Sequence, residues 1–168
     1  KLYAADARDG TPLHEALNRA GDYFSNTSAS GPWGPGATAR DQISCRQNFT
    51  TLTTDGYWNN LANVAGNEDN TAGTVYTNSN GTLTGGYTPA LPYSDGYSNT
   101  LADVAMKYWK TDLRIDLDNN VPSSPDDPAF WQHMVTFAIS IGLKGTLDPN
   151  TDLPAIKAGN KSWPNPMS

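Results

Sequence analysis

The run from Asn48 to Thr54 is β-branched and apolar, and it stops abruptly at Asp55-Gly56-Tyr57-Trp58. A buried strand of an α/β sheet looks like this when it delivers a carboxylate to its C-terminal edge, where such sheets place their sites. Upstream, Asp9-Gly10-Thr11-Pro12-Leu13 is a glycine turn leading into a helix. A hydroxyl before a helix and a carboxylate after a strand can meet at one sheet edge. Hard cations such as magnesium accept those oxygen ligands.

The remaining elements follow from spacing. Thr11 suits an N-cap and Pro12 the first helical position. Leu13, Ala16, Leu17, Ala20 and Phe24 then recur at helical intervals, which predicts a helix over 12–24. Residues 26–39 read as a Ser/Gly/Pro-rich loop. From Asn59 to Asn99 there is almost no periodic signal, and the segment reads as a long insertion at the C-terminal edge of the sheet. A short hairpin is expected within it, around Val75-Tyr76 and Leu83 to Tyr87. Thr100-Leu101-Ala102-Asp103 is a capping-box variant that opens a second helix over 100–110. Met134 to Ile141 is the second strand, with Val135, Phe137, Ile139 and Ile141 on one face. The tail from Lys144 onward reads as irregular. Helix, strand, helix, strand in this order predicts a right-handed parallel crossover between the two strands.

Gly10-Thr11-Pro12-Leu13 before a helix and Thr54-Asp55-Gly56 after a strand resemble two metal-site loops of the von Willebrand factor A fold. Longer strings narrow the resemblance. Ser44-Cys45-Arg46-Gln47-Asn48-Phe49 leading into Thr54-Asp55-Gly56-Tyr57-Trp58-Asn59 is similar to the PilC/PilY family of type IV pilus tip and biogenesis proteins. So are Leu101-Ala102-Asp103-Val104-Ala105-Met106-Lys107-Tyr108-Trp109-Lys110-Thr111-Asp112-Leu113 and Asp127-Pro128-Ala129-Phe130-Trp131-Gln132-His133-Met134. The resemblance runs across nearly the whole chain. It implies an α/β fold: an incomplete doubly wound, Rossmann-like parallel sheet of the von Willebrand factor A type with long polar insertions. Residues 1–168 would form part of that domain, with 59–99 as the loop insertion. The family's first strand, carrying an Asp-x-Ser-x-Ser metal loop, is expected before Lys1, and the closing elements after Ser168. Without a central strand the sheet is expected to expose ladder groups and apolar surface and to fold marginally.

The resemblance further implies a non-catalytic adhesion and assembly role in pilus biogenesis and in surface or host attachment. The implied partners are minor pilins at the pilus tip and a host-surface or other extracellular protein. The implied location is the cell surface, at the pilus tip or outer membrane, reached through the periplasm. Composition agrees with an exterior setting. Charged residues make up 17% of the chain and its net charge is −6, which repels phosphate backbones and argues against a nucleic-acid partner. No apolar run approaches the length of a membrane-spanning helix.

The resemblance makes Thr11 and Asp55 a partial site for Mg²⁺ or Mn²⁺ in an intact parent domain, with weak binding expected from this segment. Read from the residues alone, the same pair is a helix cap and a turn residue. Asp116, Asp118 and Asn120 sit at alternate positions, as in the start of a calcium loop. Val121 then replaces the glycine of the sharp turn, so a solvated acidic turn accounts for them as well. The single cysteine, Cys45, reads either as a buried small apolar residue or as half of a disulfide to a partner elsewhere. His14, beside Glu15, and His133, before the second strand, read as surface or cap residues. Tyr57, Trp58, Trp109, Phe130 and Trp131 read as core and rim packing. Two other functions compete with adhesion. A secreted hydrolase would need one histidine to reach Asp55. A purely structural fragment would have no site.

Overall fold

A computed structural model describes residues 10–36, 38–58, 62–142 and 144–166. The elements run α1 (Leu13–Phe24), a short 3-10 turn (Ala39–Asp41), β1 (Asn48–Thr54), β2 (Tyr76–Thr77), β3 (Thr84–Gly85), α2 (Leu101–Lys110), β4 (Met134–Ser140) and α3 (Asp152–Lys157). β1 and β4 pair in parallel, from Asn48 opposite Met134 to Thr54 opposite Ser140. The chain is therefore α/β, with a small two-stranded parallel sheet and a crossover that contains α2. β2 and β3 form the expected hairpin, antiparallel and two residues long.

α1 and α2 cover one side of the sheet, packing on each other and on β1 and β4. The core is made of Leu17, Ala65, Val104, Tyr108 and Met134, with Ala20, Phe24, Leu101, Ala105 and Leu113 against it. Helical spacing explains the selection. Leu13, Leu17 and Gly21 are the buried turns of α1, and Val104 and Tyr108 the buried turn of α2.

Among the described residues the other side of the sheet is bare. Phe49, Phe137, Ile139 and Ile141 are exposed, and the rings of Phe49 and Phe137 lie 6.2 Å apart. The apolar runs have the composition of strands covered on both faces, yet only one face is covered among the described residues.

Three boundaries differ from expectation. Pro12, not Thr11, takes the N-cap position of α1, without a side-chain cap. The tail is not wholly irregular, because α3 forms there and buries Ile156 completely. Pro154 fits that helix because it sits in the first turn, where a backbone N–H has no intrahelical partner anyway. The long insertion does not stay at the C-terminal edge of the sheet. It leaves β1 there, runs along α2, and delivers its hairpin to the segment entering β4, where the rings of Tyr76 and Trp131 lie 5.1 Å apart.

The contact between α1 and α2 depends on Gly21. A Cβ there would lie 2.3 Å from the Tyr108 ring. That ring cannot easily retreat, since its hydroxyl lies 2.8 Å from Asn18 Oδ1 and 2.7 Å from Asp22 Oδ1 on the same helix. The gain from alanine's helix preference, about 1 kcal/mol, is outweighed by overpacking. Gly21→Ala is expected to lose about 2 kcal/mol net in urea denaturation. An unchanged midpoint would show that the helices separate freely.

Candidate functional site

The C-terminal edge of β1 is where the sequence places a site. The turn after the strand is built by Thr54 and not by Asp55. Thr54 Oγ1 donates to Gly56 O at 2.8 Å and accepts from Gly56 N–H at 3.2 Å. Asp55 is exposed and has no hydrogen bond or ion pair with another side chain or backbone group among the described residues. The threonine therefore satisfies the turn and leaves the carboxylate available to solvent.

The start of α1 comes to this end of the sheet through His14. Its ring meets Trp58 edge to face, with centroids 5.2 Å apart. Thr11 lies three residues before that contact and Asp55 three residues before its other half. Thr11, half-buried, is engaged by neighbouring groups. His14 is 0% exposed and neither ring nitrogen has a hydrogen-bond partner among the described residues. Burial holds its pKa below the ordinary histidine value. The expectation of a surface histidine fails here because Trp58, distant in sequence, folds over it.

His133 is also buried. Its Nδ1 lies 2.7 Å from Trp131 O, and its Nε2 lies 3.0 Å from Asp127 Oδ2. Trp109 Nε1–H donates to the other oxygen of Asp127 at 3.0 Å. Both nitrogens are thus occupied within an aromatic cluster, and neither histidine is hydrogen-bonded to Asp55. Trp109, Phe130 and Trp131 pack as expected, whereas Tyr57 is 70% exposed.

Asp116 does not stand free for calcium. The Arg114 guanidinium grips both its oxygens, Nε to Oδ1 at 2.8 Å and Nη2 to Oδ2 at 2.7 Å. Those bonds hold its pKa below the usual carboxylate range. Asp118 and Asn120 are exposed. No three His, Cys, Asp or Glu side chains gather to hold an ion among the described residues. Cys45 is exposed and free, which corrects the reading of a buried apolar residue.

Sequence reasoning missed a polar cluster where the insertion lies along α2. Asp103 Oδ1 accepts Glu68 N–H at 2.8 Å, and its Oδ2 accepts Thr100 N–H at 2.8 Å. Thr100 and Asp103 form the expected capping box. At the far end of α2, Lys110 Nζ donates to Glu68 O and Thr71 O, each at 2.7 Å, and pairs with Glu68 Oε2 at 2.8 Å. Asp69, held between these two points, is buried, and desolvation pushes its pKa up to about 6. The only sequence signal was four polar residues in a row, Asn67 to Asn70, which have no periodicity.

The chain is similar to three curated proteins described as "Type IV pilus biogenesis factor PilY1", from strains of Pseudomonas aeruginosa. Identity is 37% over 93% of this chain for the strain PAK protein, 38% over 92% for the PAO1 protein, and 36% over 98% for the UCBPP-PA14 protein. The chain spans only 15–16% of the length of these relatives. No family model matches the chain, and no solved structure matches it.

Proposed function

Because the chain belongs to the PilC/PilY family, we propose that it is a non-catalytic adhesion and assembly module of a pilus-associated, surface-exposed protein. In this reading it takes part in type IV pilus biogenesis and in attachment to surfaces or hosts. The observation that carries the proposal is the likeness to pilus biogenesis factors over more than nine-tenths of the chain. The parallel β1–β4 pair, with an unbonded carboxylate just past its C-terminal edge, supports a partial von Willebrand factor A-like sheet. No helix of the described residues is long and apolar enough to cross a membrane, which fits a module working at the cell surface or in the envelope. Minor pilins and an extracellular protein ligand are the proposed partners.

The hydrolase reading draws no support from the geometry, since His133 is engaged by Trp131 and Asp127 and neither histidine is hydrogen-bonded to Asp55 among the described residues. The test of the assembly reading is deletion of the corresponding segment from a full-length family member. Loss of surface pili, or loss of attachment with pili retained, is expected while the protein is still exported. Normal pili together with normal attachment would overturn it.

Magnesium or manganese would be held by Thr11 and Asp55. Both supply hard oxygen, and the start of α1 and the chain beyond β1 meet at that edge. Two side chains leave most of an octahedral shell to water or to a partner's oxygen, so binding by this segment is expected to be weak. Calorimetry with MgCl₂ on an extended domain should show Asp55→Ala weakening the metal without unfolding the protein, because Asp55 touches nothing in the core. Equal affinity in both proteins would show that Asp55 is not a ligand.

A further inference from the structure

A cavity of about 610 Å³ opens between α2, the start of β4 and the loops at 86–93 and 125–128. Its walls include Tyr87, Tyr93, Met106 and Trp109, and its charged lining residues are two carboxylates, Asp69 and Asp126. No Lys, Arg or His is among the described lining residues. Two lining side chains carry buried oxygens without a hydrogen-bond partner, Asp69 Oδ2 and Thr136 Oγ1.

Asp69 is the unusual member. It is 1% exposed, and its only side-chain bond among the described residues is Oδ1 accepting Asp95 N–H at 3.2 Å. The charge of Lys110 favours the ionised form of Asp69 but makes no bond to it, because the three protons of its ammonium serve Glu68 O, Thr71 O and Glu68 Oε2. The other charges facing it, Asp95 and Asp103, are themselves acidic and disfavour its ionised form. A buried carboxylate without a counter-ion is unfavourable, and removing it from water strengthens its attraction for any cation that arrives. Tyr87, Tyr93 and Trp109 line the same cavity, and aromatic rings attract cations through their quadrupoles. Apolar walls accept an alkyl stem.

We propose that this cavity binds an organic cation, an ammonium or guanidinium group on an apolar stem, with Asp69 as its ion-pair partner and Met106 and Trp109 along the stem. The cation could be carried by a lysine or arginine side chain of a partner protein or by a free amine. The inference concerns a different region from the β1 edge and does not rest on the adhesion and assembly reading.

The test is calorimetry on the full chain with three probes of one length: n-hexylammonium, n-hexanol and n-hexanoate. At pH 7.5 the ammonium is expected to bind about tenfold tighter than the alcohol, with the carboxylate weakest. Asp69→Asn keeps an oxygen for Asp95 N–H and should abolish the preference for ammonium over alcohol. Burial raises the Asp69 pKa to about 6, so its charge disappears as pH falls through that value. Wild-type affinity for hexylammonium should therefore drop between pH 7.5 and pH 5, and the Asp69→Asn protein should show no comparable drop. A second arm compares free agmatine with an acetylated, amidated Gly-Lys-Gly peptide. Tighter binding of the peptide assigns the cation to a protein side chain, and tighter binding of agmatine to a small amine. Equal affinity for ammonium and alcohol, or no binding of any probe, overturns the proposal. If the Asp69→Asn protein does not fold, the wild-type preference and its pH series still decide.

Discussion

Asp103→Ala is expected to cost about 4 kcal/mol of folding stability in urea denaturation, the largest loss of any single polar substitution proposed for this chain. The side chain is fully buried and accepts from Thr100 N–H, Thr100 Oγ1–H and Glu68 N–H. Alanine removes one half of the capping box, for which about 1 kcal/mol is typical. It also strands buried backbone donors, each of which costs about 1–3 kcal/mol when left unpaired. Asp103→Asn retains one acceptor oxygen in place and should lose clearly less than alanine does. A loss below that of an ordinary surface change would mean that the insertion docks on α2 by apolar contact alone.

The second large effect is at the other end of the same helix. Lys110→Met keeps the apolar stem but removes an ammonium that satisfies two carbonyls and the Glu68 carboxylate. The expected loss is about 3 kcal/mol, since the half-buried Glu68 carbonyl and carboxylate both lose this donor and the Thr71 carbonyl is left to solvent. The damage should be local. Gly73 N–H, which donates to Tyr87 O at 2.9 Å, should exchange with solvent much faster, while the amides paired between β1 and β4 keep their protection. Faster exchange throughout the sheet would show that the insertion and the sheet open as one unit. Because Asp103 and Lys110 hold the same stretch of chain, the double substitution should cost less than the two single losses combined.

The legible part of this molecule is the part governed by short-range periodicity. Leu13 to Phe24 and Leu101 to Lys110 announce themselves by helical spacing, β1 by its threonines, and the parallel pairing by the order of elements. The Thr100–Asp103 capping box is readable because its partners are neighbours in sequence. Family membership was legible through long strings such as Leu101 to Leu113, which carry a specificity that composition alone does not. The candidate pair Thr11 and Asp55 was located from local patterns, but which residue closes the turn was not, because Thr54 and Asp55 are both competent there.

What sequence concealed is long-range burial of polar groups. His14 needs Trp58 to cover it, and Asp69 needs the loop's return along α2. The local sequence around Asp69 is that of an exposed turn. Its burial follows from Asp103 and Lys110, which accept and donate to the chain on either side of it. The short α3 was missed for a related reason. A single buried Ile156 anchors it, too little to establish a period.

The pairing of β1 with β4 also fixes an order of events during folding. The partner strand lies beyond the entire insertion and α2, so a chain delivered from its N-terminus presents β1 long before β4 emerges. During that interval Phe49 to Thr54 is a β-prone, uncharged stretch with both edges unsatisfied. Closing so large a loop is slow relative to local helix formation, so the sheet is expected to be the last element completed. The hazardous species during folding is this waiting strand. A chaperone that shields it would be needed only until the residues from Met134 onward arrive.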